Sequence, residues 1–361
     1  MDLRGKHVLL ISPEPWEGVK LSKHHLAEAL AAHGCHVHFL PPPDPSATDI
    51  EIVQHVGMDH VRYPHWLKGV NHLPKAVHLW YYRRLIRRIE RSVGHRMDLI
   101  WCFDTSRMQW FPGQGRLGVL HLVDLDILHQ GEGLMRTADV VFTTTGPIAE
   151  RVRRAAPKAT IHKVGHALHG GWLVDTEGLS TQRSTVPARA VFAGQLATHY
   201  VDWAAMRAVF EAYPSIAFDL YGPHHGHTDP DLEHVRTLAN VHFHGLVPKD
   251  QLIGHVRSAD ILFLLYRTDI LLDQLAYPHK MLEYLSTGNV VVCSRTLEMD
   301  AYSDLVVMAN ERNDALATFR KAVHDFASLN TEPKRMARIA FAAERSMDKL
   351  ILRLSTLIPS A

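Results

Sequence analysis

A lysine and a glutamate stand three positions apart in the stretch "YPHKMLEYLSTGNVVV", residues 277 to 292. The first backbone N–H groups of a helix are free to bind an anion, and an ammonium group beside them strengthens such a site. His279 and Lys280 would supply these groups if a helix begins here, and a diphosphate fits that arrangement. One turn further on, the Glu283 carboxylate could accept hydrogen bonds from the vicinal hydroxyls of a ribose. The spacing therefore predicts one wall of a nucleotide site.

The same two side chains could instead form an ordinary ion pair on the surface of a short helix, which contributes little to stability. The residue types alone do not decide between these interpretations. Arg267, which follows the apolar run "DILFLLY", is a second cation that could reach the same phosphates.

A short helix must hold Lys280 and Glu283 in place. Pro278 suits the first helical position and Gly288 suits the stop, which predicts a helix over residues 278–287. The helical period places one set of side chains against the core and another set outward. The predicted core side comprises Met281, Leu282 and Leu285, and the predicted outward side comprises Lys280, Glu283, Tyr284 and Thr287.

Short apolar runs alternate with amphipathic stretches along the chain, a pattern typical of parallel sheets covered by helices. The pattern predicts an α/β protein with two Rossmann-like units, and a ligand is expected in a cleft between them, at the carboxyl ends of the strands. The predicted strands of the first half are residues 6–12, 35–41, 98–104, 118–123 and 139–145, and those of the second half are 189–194, 216–222, 241–245, 260–266 and 289–294.

At 361 residues the chain is long enough for two hydrophobic cores. Residues 166–189 lose the periodic pattern and gain Gly, Ser and Thr, which indicates a connection. We therefore predict an N-terminal domain over residues 1–170, a linker over 171–187 and a C-terminal domain over 188–332. The last stretch, 333–361, is predicted to contain one helix over 333–358 that packs toward the N-terminal domain.

Two glycines follow predicted strands at points where the backbone could approach a ligand. Gly18 lies in the loop after the first strand, and Gly194 follows the first strand of the second half, where it could equally form a plain turn. Neither loop carries the G-x-G-x-x-G pattern, and the chain has no G-x-x-x-x-G-K-[ST] pattern. A dinucleotide-dependent dehydrogenase and a P-loop nucleotidase are therefore disfavoured.

Charge is nearly balanced, with 39 basic and 38 acidic residues, so nucleic acid is not expected as a partner. The exception is the cluster "YYRRLIRRIER", residues 81–91, whose apolar positions fit a helix with an arginine-rich face. That face could be solvated, or it could contact anionic lipids at a membrane surface. The sequence shows no membrane-spanning run and no evident signal peptide, and its three separated cysteines suit a reducing compartment. We expect a cytoplasmic protein, with a peripheral position at the inner face of the membrane as the alternative.

Histidine is abundant, at 27 residues, and the segment "GPHHGH", residues 222–227, could in principle bind a metal ion. Metal-ligating histidines normally have a spacing fixed by a helix or a strand, which a loop rich in glycine and proline does not provide. Neither a metal nor another cofactor is expected.

The stretch "PHKMLEYLSTGNVVV" resembles the P-x-K-x-x-E-[YA]-x-A-x-G-x-P-V-V signature of nucleotide-sugar-dependent glycosyltransferases with the GT-B fold, especially their large retaining family. The segments "FAGQL", "LYGP", "NVHFHGLVPKDQL" and "SADILFLL" follow in that family's order and spacing, and the resemblance covers nearly the whole chain. It implies a GT-B fold and transfer of a sugar, with retention, from a nucleoside diphosphate sugar such as one of UDP or GDP. The implied acceptor is a hydroxyl of a glycan, of a lipid-linked molecule or of a small molecule, as in polysaccharide biosynthesis.

The resemblance also implies roles for individual residues. Glu283 would bind the donor ribose, while Lys280 and Arg267 would stabilise the diphosphate leaving group. Asp124 would contact the transferred sugar and is the candidate base if the reaction inverts, with Asp104 as a further candidate. The remaining implied donor-binding residues are Gly18 and Gly194 near the phosphates, Leu246 and Val247 beside the base, and Pro278 and His279 at the helix start.

Two positions depart from the family pattern. Many members carry a glutamate eight residues before the ribose-binding one, where this chain has Leu275. An arginine and a lysine often follow the glycine of the second domain, where this chain has Gln195. These departures leave two alternatives open: a nucleotide-sugar epimerase or hydrolase on the same fold, and a catalytically degenerate partner subunit that binds a nucleotide or a carbohydrate.

Overall fold

The structure is a computed structural model that describes residues 1–18, 20–55, 57–67, 69–125, 131–173, 184–226 and 228–359. The chain forms two compact units, one comprising Met1–Gly165 and Met347–Ala361 and the other comprising His166–Ser346. Most of the predicted linker over 171–187 lies outside the described residues. No helix among the described residues combines the length and the hydropathy needed to cross a lipid bilayer.

The described part of unit 1 is built on a sheet of eight strands in the order β3-β4-β2-β1-β5-β6-β7-β8. Neighbouring strands are parallel except for the antiparallel pair β3 and β4. The strands are β1 (His7–Ile11), β2 (His36–Leu40), β3 (Glu51–His55), β4 (Met58–Arg62), β5 (Leu99–Cys102), β6 (Leu117–Leu122), β7 (Val140–Thr143) and β8 (Ile161–Lys163). The helices are α1 (Ser22–Ala32), α2 (Lys75–Val93), α3 (Glu132–Thr137), α4 (Gly146–Ala155) and, after unit 2, α13 (Met347–Leu357).

The described part of unit 2 is built on a six-stranded parallel sheet in the order β11-β10-β9-β12-β13-β14. The strands are β9 (Arg189–Ala193), β10 (Ala217–Tyr221), β11 (Val241–Gly245), β12 (Ile261–Leu264), β13 (Val290–Cys293) and β14 (Val307–Met308). The helices are α5 (Trp203–Ala212), α6 (Pro230–Val235), α7 (Lys249–Arg257), α8 (Thr268–Leu271), α9 (Lys280–Leu285), α10 (Ala315–His324), α11 (Phe326–Leu329) and α12 (Glu332–Ala343).

All ten predicted strands are present, and the central ones are buried on both faces, as expected for parallel strands covered by helices. The strand order of unit 2 reverses between β9 and β12, because the chain moves from β9 to β10 and β11 on one side and then to β12 on the other. Ligands of such sheets bind outside the carboxyl ends of the strands at this switch point. In unit 2 that point is reached by the loops that begin at Gly194 and Leu265.

The prediction of one helix over residues 333–358 is wrong. Helix α12 ends at Ala343 and α13 begins at Met347. The intervening backbone pairs with another segment instead of continuing the helix, since the Leu168 N–H donates to the Arg345 carbonyl at 2.8 Å. Helix α12 belongs to unit 2, whereas α13 belongs to unit 1. There α13 packs on α1, and the ammonium group of Met1 donates to the Ser355 carbonyl at 2.6 Å.

Candidate functional site

The sheet of unit 2 opens at its switch point. The paired residues of β9 and β12 are Ala190 with Ile261 and Val191 with Leu262, and the pairing stops there although both strands continue. The N–H of Ala193, the last residue of β9, therefore needs another acceptor. It donates to the Tyr284 hydroxyl at 2.7 Å, within the protein interior. Helix α9 thus fills the gap that the two diverging strands leave.

The predicted orientation of α9 is partly wrong. Met281, Leu282 and Leu285 are buried as predicted, but Tyr284 and Thr287, predicted to face outward, are also buried. The helix is enclosed on both sides, by the end of β9 and by α12, which packs against it. It is also shorter than predicted, because helical structure begins at Lys280 and ends at Leu285.

Lys280 and Glu283 form an ion pair, with 2.7 Å between Lys280 Nζ and Glu283 Oε2. The side chains are 19% and 14% exposed, so the pair is neither an ordinary surface contact nor fully removed from water. His279 Nε2 lies 3.6 Å from the other Glu283 oxygen, and the Lys280 ammonium lies 6.0 Å from the centre of the Trp172 ring. A half-buried carboxylate with an ammonium beside it can accept hydroxyl groups on one side while the ammonium faces an anion.

Tyr266 lies just after β12, near enough to Glu283 to feel its charge. Burial, followed by the charges of Tyr200 and Glu283, raises the pKa of the Tyr266 hydroxyl well above its usual value. Its ring packs edge-on against Tyr200 at 5.5 Å. Tyr266 was not among the predicted site residues, although as the last residue of "DILFLLY" it marks the end of a buried strand.

Arg267 follows Tyr266 and is held by its backbone, since its N–H donates to the Tyr200 carbonyl at 2.7 Å. Its guanidinium is 36% exposed and lies 3.5 Å from Asp269, a long contact for an ion pair. The Arg267 Nε atom is buried and has no hydrogen-bond partner among the described residues. The side chain therefore keeps donor capacity that an anion could use.

Gly194 has a structural reason to be glycine in addition to its predicted role. A Cβ atom on Gly194 would lie 3.2 Å from the Phe192 ring. Gly222, which the sequence prediction missed, is more constrained: its φ is +133°, and a Cβ there would lie 1.8 Å from the Gly194 carbonyl oxygen. Gly222 therefore lets the loops after β9 and β10 touch, and the Gly194 N–H donates to the Tyr221 carbonyl at 2.9 Å.

Leu246 and Val247, predicted beside the base, are the first residues after β11 at the same carboxyl edge of the sheet. Leu246 is 77% exposed, while Val247 packs partly against the core of unit 2. At the departures from the family pattern, Leu275 also packs against that core, and Gln195 is exposed.

In unit 1, Asp124 is exposed just beyond the carboxyl end of β6. Gly18 has φ +98°, a conformation that other residues rarely adopt, and its missing side chain would point into open space. Both positions suit a loop that meets a ligand, and their predicted roles stay predictions.

Asp104 has a structural role that the sequence did not predict. It is 1% exposed and paired with Arg107. The same guanidinium donates to the Pro41 carbonyl at 2.8 Å and to the Tyr63 hydroxyl at 2.7 Å, and it also donates to the Ser12 carbonyl. Burial alone would raise the pKa of Asp104, but the Arg107 charge and hydrogen bonds outweigh it and lower the pKa. Through Arg107, Asp104 thus connects the carboxyl ends of β1, β2 and β5, and its predicted role as a further candidate stays a prediction.

The histidine segment 222–227 is engaged by an arginine. Arg236 Nη1 lies 3.0 Å from His224 Nδ1, and the same guanidinium donates to the His224 carbonyl at 2.9 Å. A cation already occupies this position, which makes it unfavourable for a metal ion. His227 lies outside the described residues.

The arginine-rich segment forms part of α2, whose buried side includes Tyr81, Leu85 and Ile89. Its outer side carries an exposed tryptophan in addition to the arginines. Trp80 is 58% exposed, and the Arg84 guanidinium lies 5.9 Å from its ring.

No protein-family pattern matches the sequence, and no curated protein matches it either. Solved structures do match. The chain is 15% identical to a sucrose-phosphate synthase from Thermosynechococcus elongatus, with a TM-score of 0.68 and coverage of 98% of each chain. The trehalose-6-phosphate synthase OtsA is 10% identical, with a TM-score of 0.69 over 99% of this chain and 100% of that one.

A third structure is that of WaaG, described as a glycosyltransferase involved in lipopolysaccharide biosynthesis. It is 14% identical, with a TM-score of 0.65 over 98% of this chain and 100% of that one. At these identities the similarity establishes the fold alone. The predicted GT-B fold, with two mostly parallel sheets covered by helices, is confirmed.

Proposed function

We propose that this protein is a hexosyltransferase that moves a sugar from a nucleoside diphosphate sugar to an acceptor hydroxyl. The observation that carries the proposal is the grouping of Arg267, Lys280 and Glu283 around the switch point of unit 2, where this class of sheet binds ligands. The neighbours in fold add support, because one of them, from E. coli, is described as bound with UDP-2-fluoro glucose.

In the proposed mechanism the diphosphate leaves as the sugar is transferred. Negative charge then develops on the leaving phosphate, and fixed cations that face this charge lower the barrier. Arg267 and Lys280 are the residues that would supply them. Glu283 would hold the ribose hydroxyls and so fix the distance between nucleotide and cations. Asp124 would contact the transferred sugar from unit 1.

The ion pair between Lys280 and Glu283 gives the donor a specific task. The diphosphate of the donor attracts the Lys280 ammonium and so weakens its contact with Glu283. The ribose hydroxyls then donate to the Glu283 carboxylate and replace the hydrogen bond that the ammonium gave up. A ligand with both groups, such as UDP or GDP, should therefore bind better than either inorganic diphosphate or a nucleoside.

The test is a thermal-shift panel of UDP, GDP, ADP and TDP with the wild-type chain and Glu283→Gln. A ligand present at 100 times its Kd stabilises the folded state by about 2.7 kcal/mol. Replacing the carboxylate should weaken the preferred nucleotide by about tenfold to a hundredfold, the cost of a lost charged hydrogen bond. Glu233→Gln, at an exposed glutamate of the same unit, is the control and should bind normally. Equal binding by both variants would refute the role of Glu283.

A second candidate function is nucleotide binding without transfer. It is favoured by Leu275, an apolar residue packed against the core where the resembling family carries a carboxylate. Tight binding of a nucleoside diphosphate together with no release of nucleotide from its sugar conjugates, over a broad acceptor panel, would select this function.

The acceptor is proposed to be a glycan, a lipid-linked molecule or a small molecule. A peripheral position at a membrane forms part of the proposal, because α2 presents Arg84, Arg87 and Arg91 outward together with exposed Trp80. Tryptophan favours the membrane interface, and arginine favours anionic headgroups. Trp66 strengthens the same surface: it is 37% exposed, and the Arg88 guanidinium lies 4.2 Å from its ring.

A further inference from the structure

Unit 2 contains a cavity of about 430 Å³ that the proposed donor site does not use. It lies beyond the carboxyl ends of β12, β13 and β14. Its lining includes Thr268 and Asp269 after β12, Arg295 after β13, and Asn310, Arg312 and Asn313 after β14. Neither Lys280 nor Glu283 contributes to it, so the cavity is a separate feature of the same sheet edge.

The cations around this cavity are already paired with carboxylates. Arg312 donates to both oxygens of buried Asp202, at 2.6 and 3.0 Å, and lies 3.4 Å from Asp269. Arg295 lies 3.3 Å from Asp300. An anionic ligand would therefore find no unpaired cation in the lining and would have to break an existing pair. Glu311, the remaining charged residue of the lining, accepts a hydrogen bond from the Asp314 backbone N–H.

The neutral lining groups keep hydrogen-bonding capacity. Asn310 and Asn313 make no side-chain hydrogen bond within the part of the chain that the structure describes, and each amide offers both donors and an acceptor. Leu272 supplies an apolar patch on the wall. A ligand that suits these groups is uncharged, carries hydroxyls that both donate and accept, and has a small apolar face.

We propose that this cavity binds a neutral saccharide of one or two sugar units. Its volume lies within the range of small-molecule sites, about 300 to 1,000 Å³. Asp269 forms one boundary of the cavity and also lies 3.5 Å from Arg267, so an occupant would contact a residue next to the proposed donor site without entering that site. This saccharide site is additional to the proposed transfer reaction and does not depend on it.

The experiment is saturation-transfer NMR on the full chain, titrated with D-glucose, D-galactose, sucrose and cellobiose. At least one of these sugars should bind saturably with a Kd in the millimolar range. The lining variants Arg295→Ala and Asn313→Ala should each weaken this binding by about tenfold. Arg320→Ala, at an exposed arginine on α10 outside the lining, is the matched control and should bind like the wild type.

Three results would overturn the proposal. The first is no saturable binding of any of the four sugars below about 100 mM. The second is sugar binding that survives both lining variants unchanged. The third is binding of glucose 1-phosphate, but of none of the neutral sugars, in a manner that depends on Arg295. Glu283→Gln should retain sugar binding, because Glu283 does not line the cavity. The saccharide site is therefore tested independently of the proposed donor site.

Discussion

One tyrosine precedes α9 and another lies near its end, and the same substitution should destabilise unit 2 at only one of them. Tyr284 is fully buried, and its hydroxyl accepts the Ala193 N–H at 2.7 Å. Tyr277 is 8% exposed, and its hydroxyl is buried with no hydrogen-bond partner among the described residues. Tyr284→Phe therefore leaves a buried donor unsatisfied, whereas Tyr277→Phe removes an unsatisfied group.

The expected magnitude follows from the cost of an unpaired buried N–H, about 1 to 3 kcal/mol. Taking about 2 kcal/mol, Tyr284→Phe should lower the Tm of unit 2 by about 4 to 8 °C, given the usual sensitivity of domains of this size. Tyr277→Phe should leave the Tm unchanged or raise it, because the buried hydroxyl no longer has to be desolvated.

Hydrogen exchange measured by mass spectrometry locates the effect. A loss of about 2 kcal/mol corresponds to roughly thirtyfold faster exchange through local opening. This increase should appear in peptides that cover the end of β9 and α9 in Tyr284→Phe and should be absent in Tyr277→Phe. Equal effects of the two substitutions on Tm, or unchanged exchange at the end of β9 in Tyr284→Phe, would refute the account of the open sheet edge.

Three further predictions concern stability, pH and membrane binding. Arg338 is 1% exposed and donates to three backbone carbonyls. Arg338→Met should therefore lower the free energy of unfolding, measured with urea, by at least about 3 kcal/mol. The control Arg320→Met, at an exposed arginine, should change it by less than about 0.5 kcal/mol. Burial lowers the pKa of His121 to about 3. Because this pKa is below the unfolded-state value of about 6.5, the unfolded chain takes up the proton first as the pH falls. The free energy of unfolding is therefore unaffected above about pH 6.5 and is lower by about 2 kcal/mol at pH 5. His121→Phe should therefore reduce the acid sensitivity of the Tm of unit 1, and equal sensitivity in the two proteins would contradict this. Trp80→Ala and Arg84→Glu should each reduce co-sedimentation with vesicles that contain anionic lipid. If the wild-type protein binds neutral vesicles as well as anionic ones, the proposed contact is excluded.

The strands were predictable because a strand in the middle of a parallel sheet is a short apolar run with turn residues on both sides. The strands that the sequence did not predict are at or near sheet edges. β3 has mostly exposed side chains, and β8 and β14 span only three and two residues. Such segments bury too little apolar surface to leave a clear pattern.

The orientation of α9 could not be predicted, because a helix of six residues is too short for its period to separate a core side from an exposed side. Tyr284 is buried for a non-local reason, since its partner Ala193 is 91 residues away in the chain. Arg107 and Arg338 were missed for a related reason. A charged residue usually indicates the surface, and only the folded chain shows the carbonyl groups that these two guanidinium groups bind.

The open pairing between β9 and β12 connects the stability of unit 2 with its proposed chemistry. Strands that stayed paired to their ends would leave no room at the switch point, whereas strands that diverge expose backbone groups that must find partners. The Tyr284 hydroxyl supplies the partner, and it belongs to the helix turn that carries Glu283. Because the tyrosine and the glutamate are adjacent on a short, enclosed helix, this hydrogen bond also holds the stretch of backbone that carries Glu283. The hydroxyl that satisfies the backbone where β9 and β12 diverge therefore also anchors the helix that carries the carboxylate proposed to hold the donor.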